Sequence, residues 1–544
     1  MKKWQTKEQL TDLLCSLVQY PSITGSEHEI AIVEYLYHIL SEKEYFKRFP
    51  SRLSLHPLPD GRQLLTALVK GKGDRSDTVV LLSHIDVVDI EDYGSFKNLA
   101  FFPRELTREY EKHMDLLPEE VQHDIRSGEW LFGRGTMDMK AGTALHLSML
   151  EKAMDNEFHG NILLLIVPDE EVNSSGMIHS LPVLNQIKNQ ENLTYRACLN
   201  GEPMFRKFPG DESFYMYMGS LGKVLPGFYC YGKETHAGEP FGGVNANVMI
   251  SYLNQELELH ESFIEKVDDE VTPPPVSLMN RDLKEEYSVQ TPISSVSMYN
   301  VFYMKQSLMD LSNRLMDAAN RAKKKIEQHY QDKGTAFRQM AGIRELPDVH
   351  VNVMKYEELL EEAVKRHGNQ EVLRRQNLLI QNREQGDRDF STLLVQDLAY
   401  LCKDLAPMIV LFYSPPFYPS VSSRGNKHIE QVLKYVQDKA KKDYDIDLET
   451  IEFFPGLSDL SFVGPASSTD KSLKPLKQNM PLDEMGYTLD EKLMEEVHMP
   501  ILNIGPFGKG AHQWTERLEL HYSFEILPDL LTGAIHDLFK DQFV

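Results

Sequence analysis

Cysteine is scarce in this chain: Cys15, Cys198, Cys230 and Cys402 are the only four among 544 residues. They stand far apart and form no CxxC pair, which excludes a disulfide framework and a cysteine-rich zinc module. Isolated thiols suit a reducing compartment, so a cytoplasmic location is expected. Basic residues are short as well. Lys plus Arg number 58 against 82 Asp plus Glu, a formal charge of −24. That deficit argues against a nucleic-acid partner. No apolar run approaches the ~20 residues that a membrane-spanning helix needs, so no membrane partner is expected either. The opening "MKKWQTKEQLTDLLCSLVQYPS" lacks the long apolar stretch of a signal peptide and reads as an amphipathic helix. Internal repeats and low-complexity tracts are missing too.

What is present is enough apolar material, 41% of residues, for a substantial core. The length implies more than one domain, or one large domain with insertions. "KEQLTDLLCSLVQY" has helical periodicity and stops at Pro21, and "SEHEIAIVEYLYHILSE" predicts a second helix, with Ser26 and Glu29 spaced like a capping box. "TVVLLSHIDVVD", "NILLLIVPDEE", "RACLNGEP", "APMIVLFYSPP" and "MPILNIGPFGKGAHQW" each run from a continuous apolar strand into a polar loop. "TMDMKAGTALHLSMLEKAM" turns helical after Gly142. Buried strands alternating with amphipathic helices predict an α/β fold with a mostly parallel sheet.

The middle of the chain differs. A strand-loop-helix-strand-helix order from "SLGKVLPGFYCYGKETHAGEPFGG" to "DVHVNVM" suits a smaller α+β domain of ferredoxin-like type, with "VDDEVTPPPVSLMNRDLKEEY" as a Pro-rich loop. The expected division is 1–216 and 356–544 for the larger domain and 217–355 for the insert.

The chemistry gathers at predicted strand ends. His84 and Asp86 follow one apolar run, Glu170 and Glu171 another, Glu202 a third, and His512 comes shortly after "PILNIG"; Asp138 precedes a helix. Open α/β sheets build their sites at such ends. Alone, each piece is weak. A histidine after a strand is most often structural, paired glutamates are most often a solvated turn, and an Asp before a helix is commonly a cap. Together, two imidazoles and surplus carboxylates suit zinc or a similar divalent ion, with one carboxylate free to bridge a pair.

The local sequences resemble the M20 family of metallopeptidases, carboxypeptidases and aminoacylases. The resemblance rests on "LVQYPSITGSEHEIAIVEYL", the HxD of His84 and Asp86, "GRGTMDMKAG", the DEE of 169–171, "GEP" and the late histidine in "GKGAHQWTERL". Length and that last segment are most similar to the arginine-utilisation (RocB-type) branch. The resemblance implies a zinc-exopeptidase-type catalytic domain with an inserted lid and dimerisation domain. It implies two divalent ions, zinc first, with manganese or cobalt as alternatives. His84, Asp138 and Glu202 would hold one and Asp138, Glu171 and His512 the other. Glu170 would be the general base that activates a metal-bridging water against an amide bond in a small N-acyl amino acid or short peptide, in a step of arginine breakdown. Asp86 would stand behind His84, accepting from its far ring nitrogen. A cis peptide bond is implied after Asp138. "GKETHAGEP" resembles the family's lid segment, so His236 would stabilise the oxyanion, in relatives from the partner subunit; a homodimer is implied, and Asn247 in "FGGVNAN" would lie near the substrate.

Two departures follow. Around "SMYNVFYMKQS" there is no arginine where many relatives grip a substrate carboxylate. The stretch 356–500 is long for the family; within it "FPGLSDLSFVG" makes Asp459 a candidate near the site, with a surface turn as the alternative. Arg517 could meet a substrate anion, or pair with Glu516 or Glu519 on a helix. The competing functional reading is a catalytically silent relative that binds small molecules or serves a regulatory role, which would have no need of the spare base Glu170.

Overall fold

A computed structural model describes residues 3–73, 75–208, 210–467 and 472–540. The chain divides into two compact units: Met1–Leu221 with Val421–Ser467 and Asp490–Val544, and Gly222–Ser420 with Ser468–Leu489.

The first unit is built on an eight-stranded sheet. Its order is Leu53–Pro57, Gln63–Val69, Asn161–Val167, Asp77–His84, Thr194–Asn200, Ile501–Asn503, Phe214–Tyr217, Leu448–Ile451. The four central strands, from Asn161–Val167 to Ile501–Asn503, run parallel. All seven residues of "NILLLIV" are buried, as a parallel sheet covered on both faces requires. The helix Lys7–Val18 buries Leu10, Leu13, Leu14, Leu17 and Val18, one stripe at helical spacing, and starts at a Thr6–Gln9 capping box. It packs on the helix Lys140–Met154, which lies against the strands Asp77–His84 and Asn161–Val167. That central helix begins at Lys140, ahead of the expected start after Gly142. A lysine can occupy its buried first turn because Nζ donates to the Tyr20 carbonyl at 2.7 Å.

The second unit carries a five-stranded sheet in the order Val276–Asp282, Ser294–Tyr303, Gly222–Tyr231, Met408–Tyr418, Asn352–Lys355. Its pairings are antiparallel except the last. The helices Ala246–Leu257 and Leu308–Ala341 pack together, the first of them against the sheet. Helices Tyr356–His367, Asn369–Gln381 and Asp387–Leu401 contribute Leu359, Val372 and Val395 to a cluster with Tyr229, Met298 and Val410 of the sheet.

Three expectations are corrected here. The sequence assigns 356–420 to the larger domain, yet Met408–Tyr418 pairs with Gly222–Tyr231 inside the second unit. A strand buried at all eleven positions reads alike in either sheet. "PVSLMNRD" belongs to the expected Pro-rich loop but forms the edge strand Val276–Asp282, half solvated and therefore weakly apolar. Glu29 is not half of a capping box. The helix starts at His28 with no side-chain cap, and the Glu29 carboxylate is buried among the groups described below. Among the described residues, no helix is long and apolar enough to cross a membrane.

Candidate active site

The central parallel strands of the first unit end in polar residues that converge. His84 closes the strand Asp77–His84, Glu170 and Glu171 follow Asn161–Val167, and Glu202 follows Thr194–Asn200. His84 Nε2 lies 3.4 Å from Asp138 Oδ1, 3.4 Å from Glu202 Oε1 and 3.9 Å from Glu170 Oε2. His512 Nε2 lies 3.3 Å from the other Asp138 oxygen, Oδ2, and 3.1 Å from Glu171 Oε1. Asp138 thus stands between two imidazoles, one oxygen toward each. The peptide bond Asp138–Met139 is cis.

Small residues allow the approach. A β-carbon on Gly142 would sit 2.2 Å from the Gly201 carbonyl oxygen, and one on Gly505 only 1.7 Å from that of Glu202. Neither position admits a side chain without moving the segment that carries Glu202. Asn503 Nδ2 donates to the same Glu202 carbonyl at 2.9 Å.

The loops between ligand-type residues need acceptors for their N–H groups, and buried carboxylates supply them. Asp86 Oδ1 accepts from Glu170 N–H at 3.0 Å, and Oδ2 from Glu171 N–H at 3.2 Å and the Thr24 hydroxyl at 2.8 Å. Asp86 therefore does more than stand behind His84. The ring Nδ1 of His84 is nearer the Asp86 main-chain oxygen, 3.1 Å, than its carboxylate, 3.5 Å. A proton on Nδ1 shared with that carbonyl leaves the Nε2 lone pair facing the carboxylates. Asp169 takes a left-handed φ of 73°, and its N–H donates to Glu29 at 3.1 Å. Arg62 bonds Asp169 at 2.8 Å and reaches Glu29 at 3.3 Å. On the Asp138 side, Glu516 Oε1 accepts from Met137 N–H at 3.1 Å and Asp138 N–H at 3.3 Å. Its other oxygen pairs with buried Arg134 at 2.8 Å.

The electrostatics favour a cation. Burial pushes Glu170 and Glu202 well above the usual carboxylate range, and neighbouring carboxylates add to the shift. Burial opposes charge on His512 as well, yet Asp138 and Glu171 raise it to about 11. Burial also acts against ionised Asp138, but the two imidazoles outweigh it and hold that carboxyl low. Ligand-type atoms of His84, Glu170 and Glu202, and of His84, Asp138 and Glu171, lie within 4.8 Å of one another. Imidazole nitrogen plus carboxylate oxygen at these spacings is a donor set that fits zinc, manganese or cobalt.

Of the other expected residues, Asp459 lies close by and the rest are engaged with other partners or exposed. Asp459 is no surface turn: it is buried, pushed up to about 7 by that burial, and close enough for Glu170 and Glu202 to feel its charge. Ser458 beside it accepts from Asn200 Nδ2 at 3.0 Å. Arg517 lies on the strand Arg517–Glu519, not on a helix. Its guanidinium donates to Asp124 at 2.8 Å and to the Thr515 carbonyl at 3.0 Å, is buried, and pairs with neither Glu516 nor Glu519. Its donors are engaged, so it is not the reader of a substrate anion. In the second unit, Asn247 Nδ2 donates to Asp282 at 2.9 Å. His236 is exposed, and its Nδ1 accepts from Gly238 N–H at 3.0 Å. Sequence reasoning missed Glu29, Arg62 and Arg134. Nothing in their local patterns marks a buried charge, and Arg62 meets Asp169 across 107 residues of chain.

A parallel sheet whose strand ends gather two imidazoles and buried carboxylates defines a metal-dependent hydrolase. The chain belongs to the Peptidase family M20/M25/M40, which it matches over residues 110–534. It is 51% identical over 540 residues to the "Uncharacterized protein YqjN" of Bacillus subtilis (strain 168), covering 99% of this chain and 98% of that one. It is 31% identical to Protein RocB of the same organism, covering 96% and 94%, which places it close to the RocB branch. In fold it is similar to a tripeptidase from Staphylococcus aureus, with a TM-score of 0.53 at 14% identity, covering 98% of this chain and 99% of that chain.

Proposed function

We propose that this hydrolase holds two divalent ions and cleaves the amide bond of a small N-acyl amino acid or short peptide, in the cytoplasm and in a step of arginine breakdown. One observation carries the reading: the two oxygens of Asp138 face different imidazoles, at 3.4 and 3.3 Å. His84, Asp138 and Glu202 would hold one ion, and Asp138, Glu171 and His512 the other. Ions bound there would polarise the amide carbonyl and make a water more acidic, each a Lewis-acid effect.

The chain's own residues do the rest. Glu170 stands 3.9 Å from His84 Nε2, farther than Glu202 or Asp138, which leaves it for proton transfer. It takes a proton from the attacking water and delivers it to the leaving amine. Burial suits this role, because a carboxyl with a raised pKa holds a proton longer near neutral pH. Asp86 fixes the backbone of Glu170 and Glu171 and so sets where the base points. His236 and Asn247, in the second unit, contribute to oxyanion and substrate binding, and that unit acts as lid and dimerisation domain of a homodimer. Burial of all four thiols fits a reducing cytoplasm.

The test is hydrolysis across a panel of N-acyl amino acids and dipeptides by chelator-treated protein, before and after adding Zn²⁺, Mn²⁺ or Co²⁺. Turnover returns with metal and disappears again with chelator. Bound metal without turnover across the panel would instead establish the silent binding protein.

A further inference from the structure

Glu516 ties together two segments that each carry a ligand-type residue. It lies four positions after His512, and two successive turns fix that spacing: Gln513 N–H donates to the Gly510 carbonyl at 3.0 Å and Glu516 N–H to the Gln513 carbonyl at 2.9 Å. The next residues, Arg517–Glu519, pair antiparallel with Trp130–Phe132, and Gly133 N–H donates to the Glu516 carbonyl at 3.0 Å. The Glu516 side chain then takes the N–H groups of Met137 and Asp138. It is fully buried, and so is its partner Arg134. Arg134 is itself anchored, with Nε donating to the Asp89 carbonyl at 3.1 Å and Nη2 to Asp92 at 3.1 Å.

His84 and Glu202 have a different support. They end or follow neighbouring strands whose register pairs Leu82 with Asn200. The sheet ladder sets their separation without help from Glu516. The ladder between Trp130–Phe132 and Arg517–Glu519 stops short of both Asp138 and His512, and the Glu516 side chain spans the turns that carry them.

We propose that Glu516, held by Arg134, is a positioning residue that acts selectively on the ion assigned to Asp138, Glu171 and His512. This rests on the two-ion reading above. Loosening Glu516 frees the Asp138 backbone from the His512 segment and weakens that ion most, while the ion assigned to His84, Asp138 and Glu202 shares Asp138 but keeps the two ligands that the sheet ladder holds.

The experiment titrates Zn²⁺ into chelator-treated wild type, Glu516→Ala, Glu516→Gln and Arg134→Lys by calorimetry. Bound zinc is counted after dialysis, and the metal-free forms are compared by circular dichroism and thermal melting. Wild type binds two ions. Glu516→Ala binds one much as before and the second at least ten-fold more weakly, a gap that excess zinc closes. Glu516→Gln keeps an oxygen acceptor but loses the charge facing Arg134, and falls between. Should Glu516→Ala fail to fold, Glu516→Gln and Arg134→Lys decide by the same readout. Two ions bound with wild-type affinities, or both weakened equally, overturn the proposal and leave the two-ion reading standing. Wild type that binds fewer than two ions overturns both.

Discussion

The loops 133–139 and 168–174 reach one centre by the same device, from opposite directions along the chain. Each presents backbone N–H groups to a buried carboxylate from elsewhere: Met137 and Asp138 to Glu516, Glu170 and Glu171 to Asp86. Each carboxylate is near in sequence to a ligand-type histidine, His512 in one case and His84 in the other. The difference lies in how charge is compensated. Glu516 faces a buried guanidinium at 2.8 Å. Asp86 has backbone N–H groups, the Thr24 hydroxyl and the edge of His84, while the guanidinium beside its loop, Arg62, serves Asp169 and Glu29. Burial works against an ionised Asp86, yet His84, Thr24 and the Glu170 N–H outweigh it and hold Asp86 below the usual carboxylate range; the carboxyls of this loop whose charge burial disfavours are Glu170 and Glu171. The 168–174 loop is therefore the one whose order depends more on charge brought in with the ions, and it is the loop that carries the base.

The largest expected effect separates chemistry from metal holding within that loop. Glu170→Gln preserves size and the backbone contact to Asp86 but cannot take a proton. Its kcat falls by roughly 10²–10⁴ while bound metal, counted after dialysis, stays at the wild-type number. Loss of both together would move Glu170 into the ligand set and erase its distinction from Glu171. Next comes Arg62→Met, which leaves Glu29 and Asp169 buried without their cation. Breaking a buried ion pair from one side costs about 3–5 kcal/mol, read as a lower urea midpoint. A loss below about 1 kcal/mol would mean that this loop is held by its hydrogen bonds alone. Smaller again is Asp86→Asn. The amide keeps one acceptor oxygen but turns N–H toward N–H at the other position. About 10–100-fold is expected in kcat/KM, the range for a group that orients a metal ligand; an unchanged kcat/KM would show that the 168–174 loop finds its place without Asp86.

How much of this was legible in sequence differs between the two loops. The strands were readable because seven consecutive apolar residues in "NILLLIV" have no solvated face to hide. Strand-end placement made candidates of His84, Glu171, Glu202 and His512; their meeting with Asp138 around one centre came from the resemblance to the M20 family. Asp86 was visible as a partner of His84, but its hold on Glu170 and Glu171 was not, since backbone N–H groups leave no mark on composition. Glu29 looked like a helix cap because Ser26 stood three residues before it. In sequence Arg517 reads equally as a contact for a substrate anion or as a partner of Glu516 or Glu519 on a helix, and the strand Arg517–Glu519 turns it to Asp124 instead. The insert was misdrawn because a fully buried strand such as Met408–Tyr418 does not reveal which sheet it joins.

The smallest expected effect concerns Glu29 and the direction of a pH dependence. Burial, with Asp86 adding to it and Arg62 opposing, lifts Glu29 from 4.5 to about 7. In the unfolded chain this group releases its proton near 4.5; in the folded chain it keeps it until about 7. Between those values the folded state binds more protons, so the contribution is fully present below 4.5 and is lost as pH rises through 7. Its slope is at most about 1.4 kcal/mol per pH unit for one proton. Glu29→Gln removes that titration, so the stability difference between variant and wild type, taken from urea midpoints of metal-free protein at pH 5 to 8, shifts in the variant's favour as pH rises to about 7 and then levels off. A difference that does not change with pH would mean that Arg62 keeps Glu29 ionised throughout. The 168–174 loop would then carry its own charge compensation, as the Asp138 loop does through Arg134, and the contrast between the two would vanish.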